Sequence, residues 1–490
     1  MNHYALPAVA LVTLATMAIG AYGLRLARTT SDFLVASRAV SPRWNAAAIS
    51  GEYLSAASFL GVAGLVLKYG VDMLWYPVGF AAGYLALLLF VAAPLRRSGA
   101  FTLPDFCEVR LGSRRLRKLA TAFVLFIGWL YLVPQLQGAG LTLLTVAGAP
   151  YWVGVVIVGG VVTGHVALGG MRAITFVQAF QYWLKLTALA LPAVFLFAEW
   201  RGDGQPLVAG PADLDWLLPD GNALFGTYSL ILATFLGTMG LPHVLVRFYT
   251  NSDGAAARRT TLVVLGLVGL FYLFPAMYGA LGRIYAPDLV VSGRTDSVVL
   301  MLPAAALGGL AGKLLGALVA AGAFAAFLST SSGLLTSVAG VLSTDVLGRG
   351  RGSVRDFRVA ALIAGFVPLV LALRIYGLNV STVVGLAFAV AASSFCPLLV
   401  LGIWWRGLTA PGAAAGIVAG GGAAVASVFW TVAGAPASDW VAPLVAQPAA
   451  WTVPLAFAVM IGVSVLTRHR VPAGVGSIML RLHAPDSLRL

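Results

Sequence analysis

The segment Ile49-Ser-Gly-Glu-Tyr-Leu-Ser-Ala-Ala-Ser-Phe-Leu-Gly61 is apolar and yet rich in residues that weaken a helix. A second segment of the same kind reads Leu236-Gly-Thr-Met-Gly-Leu-Pro-His243. Both lie in long apolar surroundings, so each is predicted to enter a membrane and to unwind part-way across it. Unwound backbone is tolerated at that depth only where its N–H and C=O groups face protein or a polar cavity. Both segments therefore predict a buried polar site.

The composition is that of a membrane protein. Of 490 residues, 60% are hydrophobic and 10% are charged, whereas soluble domains are roughly a quarter charged. A bilayer-spanning helix needs about 20 mostly apolar residues. We predict 13 spans, at 6–24, 45–67, 73–95, 119–147, 151–170, 174–198, 223–248, 260–284, 312–345, 356–376, 380–405, 410–433 and 450–467. The apolar run 298–310 is predicted to be an interfacial helix, and no soluble domain fits between the spans.

The positive charge predicts orientation rather than a nucleic-acid partner. The net charge is +14, but the Lys and Arg residues lie in loops between spans, whereas nucleic-acid binding needs them on one face. Cations accumulate in cytoplasmic loops. With the N-terminus outside, 24 of the 31 Lys and Arg residues fall in cytoplasmic segments and six in external ones. We therefore expect a multi-pass protein of the plasma (inner) membrane with a cytoplasmic C-terminus.

The two unusual segments occupy predicted spans two and seven, which are five apart. Because five is odd, equivalent helices of two five-helix units would cross the membrane in opposite directions, as an inverted repeat. Broken helices at corresponding positions of inverted halves point to the binding site of a transporter. The alternative is that these glycines only allow close helix packing, although their paired occurrence favours transport.

Ionisable side chains inside spans are costly to bury and are candidates for function. Four stand out here, Glu52, His165, Lys185 and His243. Glu52 lies beside the predicted break in span two. It could carry a coupling proton or shape a cation site, or it could form a structural pair with Lys185.

Span nine carries four consecutive hydroxyl side chains, in Ala326-Phe-Leu-Ser329-Thr330-Ser331-Ser332. A hard cation such as sodium prefers oxygen ligands, and unwound carbonyls coordinate such ions in transporters with broken helices. Carbonyls of span two and hydroxyls of span nine could together hold the ion. Alternatively, each hydroxyl donates to a carbonyl of its own helix.

Several motifs together resemble the sodium:solute symporters, and specifically their acetate and monocarboxylate permease branch. The resemblance runs from about Ser31 to Trp405 and is carried by Ser31-Asp-Phe-Leu, Gly51-Glu-Tyr-Leu-Ser-Ala-Ala-Ser-Phe-Leu-Gly61, Gly169-Gly-Met-Arg-Ala-Ile-Thr175, Gly240-Leu-Pro-His-Val-Leu-Val-Arg-Phe-Tyr249 and Ala391-Ala-Ser-Ser-Phe-Cys-Pro397. It implies an all-α membrane protein with the LeuT-like five-plus-five inverted repeat. An extra helix would occupy residues 1–30, the two repeats 31–205 and 206–406, and two further helices with a tail 407–490.

The resemblance also implies a sodium site and thus sodium as the coupling ion. Its ligands would be the backbone carbonyls of Gly51, Leu54 and Ala326 and the hydroxyls of Ser329 and Thr330. Family members with a second sodium have an acidic residue where this chain has Gln178. A second sodium is therefore not expected.

The substrate is expected between the two broken spans, with spans four and eleven closing the pocket. The candidate residues are Ser55, Ser58, Tyr131, Gln135, Phe235, Thr238 and Ser394. The N-terminus of a half-helix near Ser58 or Thr238 would direct partial positive charge at a carboxylate, which suits a small organic anion. Any of these side chains could instead link helices. Arg247 is assigned to the cytoplasmic gate or the membrane interface.

Other classes of function fit the sequence less well. A membrane enzyme would need a nucleophile with a base, or a metal motif such as His-Glu-x-x-His, and the five histidines and two cysteines form neither. We therefore expect a secondary active symporter that couples sodium entry to uptake of a monocarboxylate such as acetate by alternating access. Proton coupling, another small solute such as an amino acid or sugar, and a partner-dependent membrane sensor are the alternatives.

Overall fold

The computed structural model describes residues 2–24, 40–206, 216, 224–348, 353–374, 380–435, 437–438 and 440–485. The motif Ser31-Asp-Phe-Leu and the predicted boundary at residue 30 lie outside these residues. The residues that are described fold into helices and contain no β-strand. The predicted all-α class is therefore confirmed.

The helices of the first half include both long membrane helices and short pieces. They are α1 Ala5–Leu24, α2 Pro42–Tyr53, α3 Val62–Tyr69, α4 Trp75–Ala86, α5 Ala92–Arg97, α6 Leu103–Leu111, α7 Arg114–Ala147 and α8 Tyr151–Gly202. A π-helical turn at Ala57–Gly61 precedes α3, and another at Leu87–Val91 joins α4 to α5. A 3₁₀ turn, Gly70–Leu74, joins α3 to α4.

The second half continues in the same way. Its helices are α9 Leu224–Gly240, α10 Pro242–Phe248, α11 Gly254–Tyr285, α12 Asp288–Val291, α13 Val298–Leu307, α14 Gly309–Val341, α15 Val354–Arg374, α16 Val380–Trp404, α17 Ala410–Gly416, α18 Gly422–Val432, α19 Ala442–Ala446, α20 Ala449–Leu466 and α21 Val475–His483. The remaining turns are a π-helical turn at Leu342–Leu347 after α14, another at Ile417–Gly421 between α17 and α18, and 3₁₀ turns at Thr295–Ser297 and Arg468–Arg470.

Ten helices in the described part of the chain are long and apolar enough to cross a membrane, or eleven if α9 and α10 count as one span. The predicted count of 13 is not confirmed. Predicted spans 151–170 and 174–198 both lie in the helical stretch α8, which leaves helical geometry between them. Gly170 within it has φ 59° and ψ −168°, a conformation that turns the chain and that glycine adopts most readily.

Both predicted helix breaks are present. The first lies after α2, where Leu54 has φ −75° and ψ 88° and leaves the helix. The second lies at Leu241, between α9 and α10, which are bent by 42°. Pro242 begins α10, where its missing N–H would have no helical partner.

Small residues let the broken helices approach their neighbours. A Cβ on Gly51 would lie 2.2 Å from the carbonyl oxygen of Gln178 in α8, and one on Gly240 would lie 2.3 Å from that of Ala391 in α16. Only glycine fits such an approach between backbones. These contacts place α2 against α8 and the end of α9 against α16.

Burial separates central helices from peripheral ones. In α16, 94% of the most apolar window is buried, and in the stretch containing α14 the share is 83%. The corresponding share is 28% for α1 and 33% for α20. Helices α14 and α16 therefore lie at the centre of the bundle, and the first and last membrane helices lie at its edge.

Candidate cation and substrate site

The break after α2 exposes backbone carbonyls to α8 and α14, and Lys185 fills the space between them. Its Nζ donates to the carbonyl oxygens of Gly51 and Leu54, at 2.7 Å for Leu54, and to the Ser329 Oγ at 2.9 Å. Lys185 is fully buried. Three of the five oxygens predicted to bind sodium thus surround this ammonium.

The other two predicted ligands lie beside the first three. The carbonyl of Ala326 accepts the Ser329 hydroxyl at 3.0 Å, and the Thr330 hydroxyl donates to the Glu52 carbonyl at 2.5 Å. The five positions therefore lie close together, and their role as sodium ligands stays a prediction. The hydroxyls of Ser329 and Ser332 both donate to carbonyls of their own helix, at Ala326 and Leu328, which is the alternative considered from the sequence.

Glu52 forms a buried ion pair with Arg247 of α10. The Arg247 Nε lies 2.5 Å from the Glu52 Oε2, and its side chain also donates to Thr175 at 2.9 Å and to Gln178. Gln178 in turn donates to the Ser329 carbonyl at 2.8 Å. Of the alternatives considered for Glu52, a structural pair with Lys185 is not formed, because its partner is Arg247.

The assignment of Arg247 to the membrane interface is also wrong, because its side chain has 0% exposure. The physical reason is the break at Leu241, which redirects α10 towards α2. The axes of α9 and α10 differ by 42° at this point. Arg247 is thereby carried into the interior, where Glu52 balances its charge.

Hydroxyl and amide groups meet on the other side of the α2 break. The Tyr53 and Thr238 hydroxyls are 2.7 Å apart and join the two broken helices. The Ser58 hydroxyl lies 2.8 Å from that of Tyr272. These contacts bring two predicted substrate residues to the same place.

Two further candidates of α7 face the start of the π-helical turn. The Gln135 Oε1 accepts the Ala56 N–H at 2.9 Å. The Ser55 hydroxyl lies near the Tyr131 phenol, although no hydrogen bond satisfies it. At this N-terminal end of a half-helix, the Ala56 N–H therefore donates to Gln135, and the Ser55 hydroxyl has no hydrogen-bond partner.

Aromatic side chains enclose this polar group, and sequence reasoning missed most of them. We call them the aromatic cluster, which consists of Tyr53, Tyr76, Phe80, Tyr84, Tyr131, Tyr272 and Phe388. Their ring centroids are 4.6 Å apart for Tyr53 and Tyr84, 5.0 Å for Phe80 and Phe388, and 5.7 Å for Tyr131 and Phe388. They come from α2, α4, α7, α11 and α16, so spacing along one helix gives no signal for the cluster.

Some candidate residues lie elsewhere. The Ser394 hydroxyl donates to the Val390 carbonyl at 2.6 Å, and its Cβ lies against Gly421 beyond α17. Ser394 thus packs against the C-terminal helices, and its substrate contact stays a prediction. Phe235 is only partly buried, and its carbonyl lies against Gly83.

The two histidines also separate. The ring of His243 lies edge-on to that of Tyr131, with centroids 5.4 Å apart, and neither of its ring nitrogens has a hydrogen-bond partner. His243 therefore borders the aromatic cluster. His165 is half-buried and lies against Gly20 of α1, far along α8 from Lys185.

A cavity of about 280 Å³ leads towards the aromatic cluster. Its lining includes Lys68, Tyr76 and Asp296. Tyr76 belongs to the cluster, and its ring centroid lies 5.0 Å from that of Phe80. Burial raises the pKa of Asp296 to about 6. We call this space the vestibule.

A second, much smaller cavity lies among other helices. It lies between Met171, Pro242 and Thr336 and measures about 10 Å³, which is at the limit for one water molecule. Nearby, Arg117 binds Asp105 and Asp345, both at 2.5 Å.

Glu108 completes this group, at 2.7 Å from Arg117. Burial raises the pKa of Asp105 although the Arg117 guanidinium beside it opposes the shift. The ion pairs join α6 and α7 to the turn after α14. These ion pairs hold the three elements together near the small cavity, away from the vestibule residues.

Comparison with known proteins agrees with this architecture. The chain is 34% identical over 423 residues to the uncharacterized symporter YwcA of Bacillus subtilis (strain 168), covering 83% of this chain and 82% of YwcA. It is 33% identical over 481 residues to a monocarboxylic acid transporter of Corynebacterium glutamicum, covering 89% of this chain and 86% of that protein.

A solved structure shows the same fold at low sequence identity. It is the substrate-bound outward-open state of a Na⁺-coupled sialic acid symporter, with a TM-score of 0.71 and 15% identity, covering 94% of this chain and 98% of that chain. The sequence model of the sodium:solute symporter family matches residues 33–420 of this chain. This protein is a multi-pass membrane transporter, not an enzyme, and it belongs to the sodium:solute symporter family.

Proposed function

We propose that this protein is a secondary active symporter that takes up a small monocarboxylate, such as acetate, together with a cation by alternating access. The observation that carries the proposal is the meeting of two broken helices at one site, where the Tyr53 and Thr238 hydroxyls are 2.7 Å apart. Broken helices at a repeat interface are where such transporters bind substrate.

The surroundings of the break support a small anion. The positive end of a helix dipole carries about half an elementary charge, and the half-helix that begins near Ala56 presents that end to the aromatic cluster. Lys185 and Arg247 are already engaged, by backbone oxygens and by Glu52. Amides and hydroxyls would therefore bind the carboxylate, and the rings would contact a short apolar tail. The Corynebacterium glutamicum relative, named a monocarboxylic acid transporter, supports the same substrate class.

The proposed direction of transport is inward from the vestibule. Cations accumulate on the cytoplasmic side of membrane proteins, so the arginine-rich segments would be cytoplasmic and the vestibule external. The N-terminus would then be outside, the C-terminus inside, and the membrane the plasma membrane. We further propose that the repeats comprise residues 31–205 and 206–406, with 1–30 and 407–490 as additions.

The coupling ion has two candidates. Sodium is favoured by membership of the family and by the oxygen atoms gathered at Gly51, Leu54 and Ser329. A proton is the second candidate. It is favoured because Lys185 already donates to all three of these oxygens and so competes with sodium for them.

Counterflow of radiolabelled acetate into proteoliposomes tests the substrate class whichever ion drives transport. Vesicles are preloaded with unlabelled acetate, propionate, butyrate or acetamide, and protein-free vesicles correct for acetic acid that crosses the bilayer unaided. We expect the three carboxylates to drive entry of label and the neutral amide to fail. Equal exchange with acetamide, or no protein-dependent exchange, would refute the proposal.

A further inference from the structure

The predicted sodium site is filled by a side chain of the same protein. Lys185 donates to Gly51, Leu54 and Ser329, with Nζ to oxygen distances of 2.7 Å for Leu54 and 2.9 Å for Ser329. An ammonium group has three N–H donors and no acceptor. Three oxygens therefore satisfy the whole group, much as they would satisfy part of the coordination shell of an ion.

Burial and charge balance indicate that the placement is specific. Lys185 has 0% exposure, and a buried charge is expensive unless it is paired and hydrogen-bonded. The carbonyls of Gly51 and Leu54 lie at the C-terminal end of α2, where the helix dipole is negative. The Glu52 carboxylate is bonded to Arg247 instead. The helix end and Ser329 are thus the direct partners of the ammonium.

Helix α8 holds Lys185 in this position. Lys185 follows Gln178 by seven residues, which places both on the same face of the helix. Gln178 donates to the Ser329 carbonyl at 2.8 Å, so two side chains of α8 contact the same turn of α14. The ammonium is therefore presented by a rigid, packed helix.

We propose that the Lys185 ammonium takes the place of sodium at this site, so that substrate uptake requires no sodium there. A sodium ion on the same oxygens would lie within hydrogen-bonding distance of a second cation, and like charges repel strongly in a water-poor site. This inference rests on the proposed transport function and specifies which cation fills the site.

The test compares Lys185→Met with Lys313→Met, a matched control on the exposed part of α14. Binding of radiolabelled sodium and the melting temperature of the purified protein are measured in sodium chloride and in potassium chloride at equal ionic strength. We expect wild type and Lys313→Met to bind no sodium and to melt alike in both salts. Lys185→Met should bind sodium and melt higher in sodium chloride, because a ligand of the folded state stabilises it.

Acetate uptake by wild-type proteoliposomes in the same two salts completes the test. We expect the uptake rate in sodium chloride to equal that in potassium chloride. Sodium-specific stabilisation of wild type, uptake that requires sodium, or a folded Lys185→Met protein that binds no sodium would overturn the inference. If Lys185→Met does not fold, the wild-type measurements still decide. Absence of acetate uptake in both salts, with sodium binding confined to Lys185→Met, would refute the proposed substrate and leave the inference intact.

Discussion

Replacing Glu52 by Gln should destabilise the protein strongly, because it leaves the Arg247 guanidinium buried without a counter-charge. The Arg247 Nε and Glu52 Oε2 are 2.5 Å apart, and the two side chains are 0% and 2% exposed. With charge centres about 4 Å apart and an effective dielectric of about 20, the attraction is about 4 kcal/mol. This agrees with the roughly 3–5 kcal/mol lost when one partner of a buried pair is removed. The folding equilibrium constant should fall about 700-fold, at about 1.4 kcal/mol per factor of ten.

The assay is equilibrium unfolding in detergent micelles, as a double-mutant cycle with Arg247→Met. The double variant should recover part of the loss, because it removes the unpaired charge as well. Glu108→Gln is the matched control, since Glu108 pairs with Arg117 at 2.7 Å but is 30% exposed, and such pairs contribute less than about 1 kcal/mol. An equal cost for Glu52→Gln and Glu108→Gln would refute the argument that burial makes the inner pair essential.

Three further predictions test other parts of the structure. Gly333→Ala would place a Cβ 2.0 Å from the Glu52 carboxyl carbon, so we expect a lower melting temperature. Gly266→Ala is the control, because a Cβ there meets no atom within 4 Å. It should raise the melting temperature, since alanine is favoured over glycine in a helix by about 1 kcal/mol. Because the pKa of Asp296 is raised to about 6, its contribution to stability is full below about pH 4 and is lost as the pH rises through 6. Asp296→Asn should remove this decline from melting curves recorded between pH 4 and 7, and an unchanged decline would contradict it. Tyr53→Phe, which removes the hydrogen bond to α9, should reduce acetate counterflow while the melting temperature falls only by the equivalent of about 1 kcal/mol; unimpaired counterflow would count against the site.

The breaks in the two central helices could be predicted from the sequence because their causes are local. Glycines and a proline weaken the helix within a few residues of Leu54 and Leu241. The clustering of Ser329 and Thr330 with the α2 carbonyls followed from the family motifs. Local patterns and a family resemblance were therefore sufficient for the fold and for the oxygen-rich site.

The occupant of that site could not be predicted in this way. Lys185 is 134 residues from Gly51 and 144 from Ser329 along the chain, and nothing in its local sequence shows which carbonyls it reaches. The burial of Arg247 depends likewise on the bend at Leu241, whose direction is set by packing against neighbouring helices. Tertiary contacts decided both outcomes.

The aromatic cluster was missed for a related reason. Rings such as Phe80 and Phe388 lie on helices that read as ordinary apolar spans, and only the three-dimensional arrangement brings them within 5.0 Å. In α8 the backbone leaves helical geometry at Gly170, where the predicted spans 151–170 and 174–198 meet. Ser394 has suitable chemistry, and only the structure shows that its hydroxyl donates to the Val390 carbonyl.

The initial rate of radiolabelled acetate uptake, measured side by side in proteoliposomes and protein-free vesicles at one pH, tests the central claim most directly. Sodium is replaced by choline in the second of two otherwise matched buffers. We predict protein-dependent uptake that saturates with acetate concentration and is equal in both buffers. A rate no higher than that of protein-free vesicles in both buffers would contradict the conclusion that this protein transports monocarboxylates.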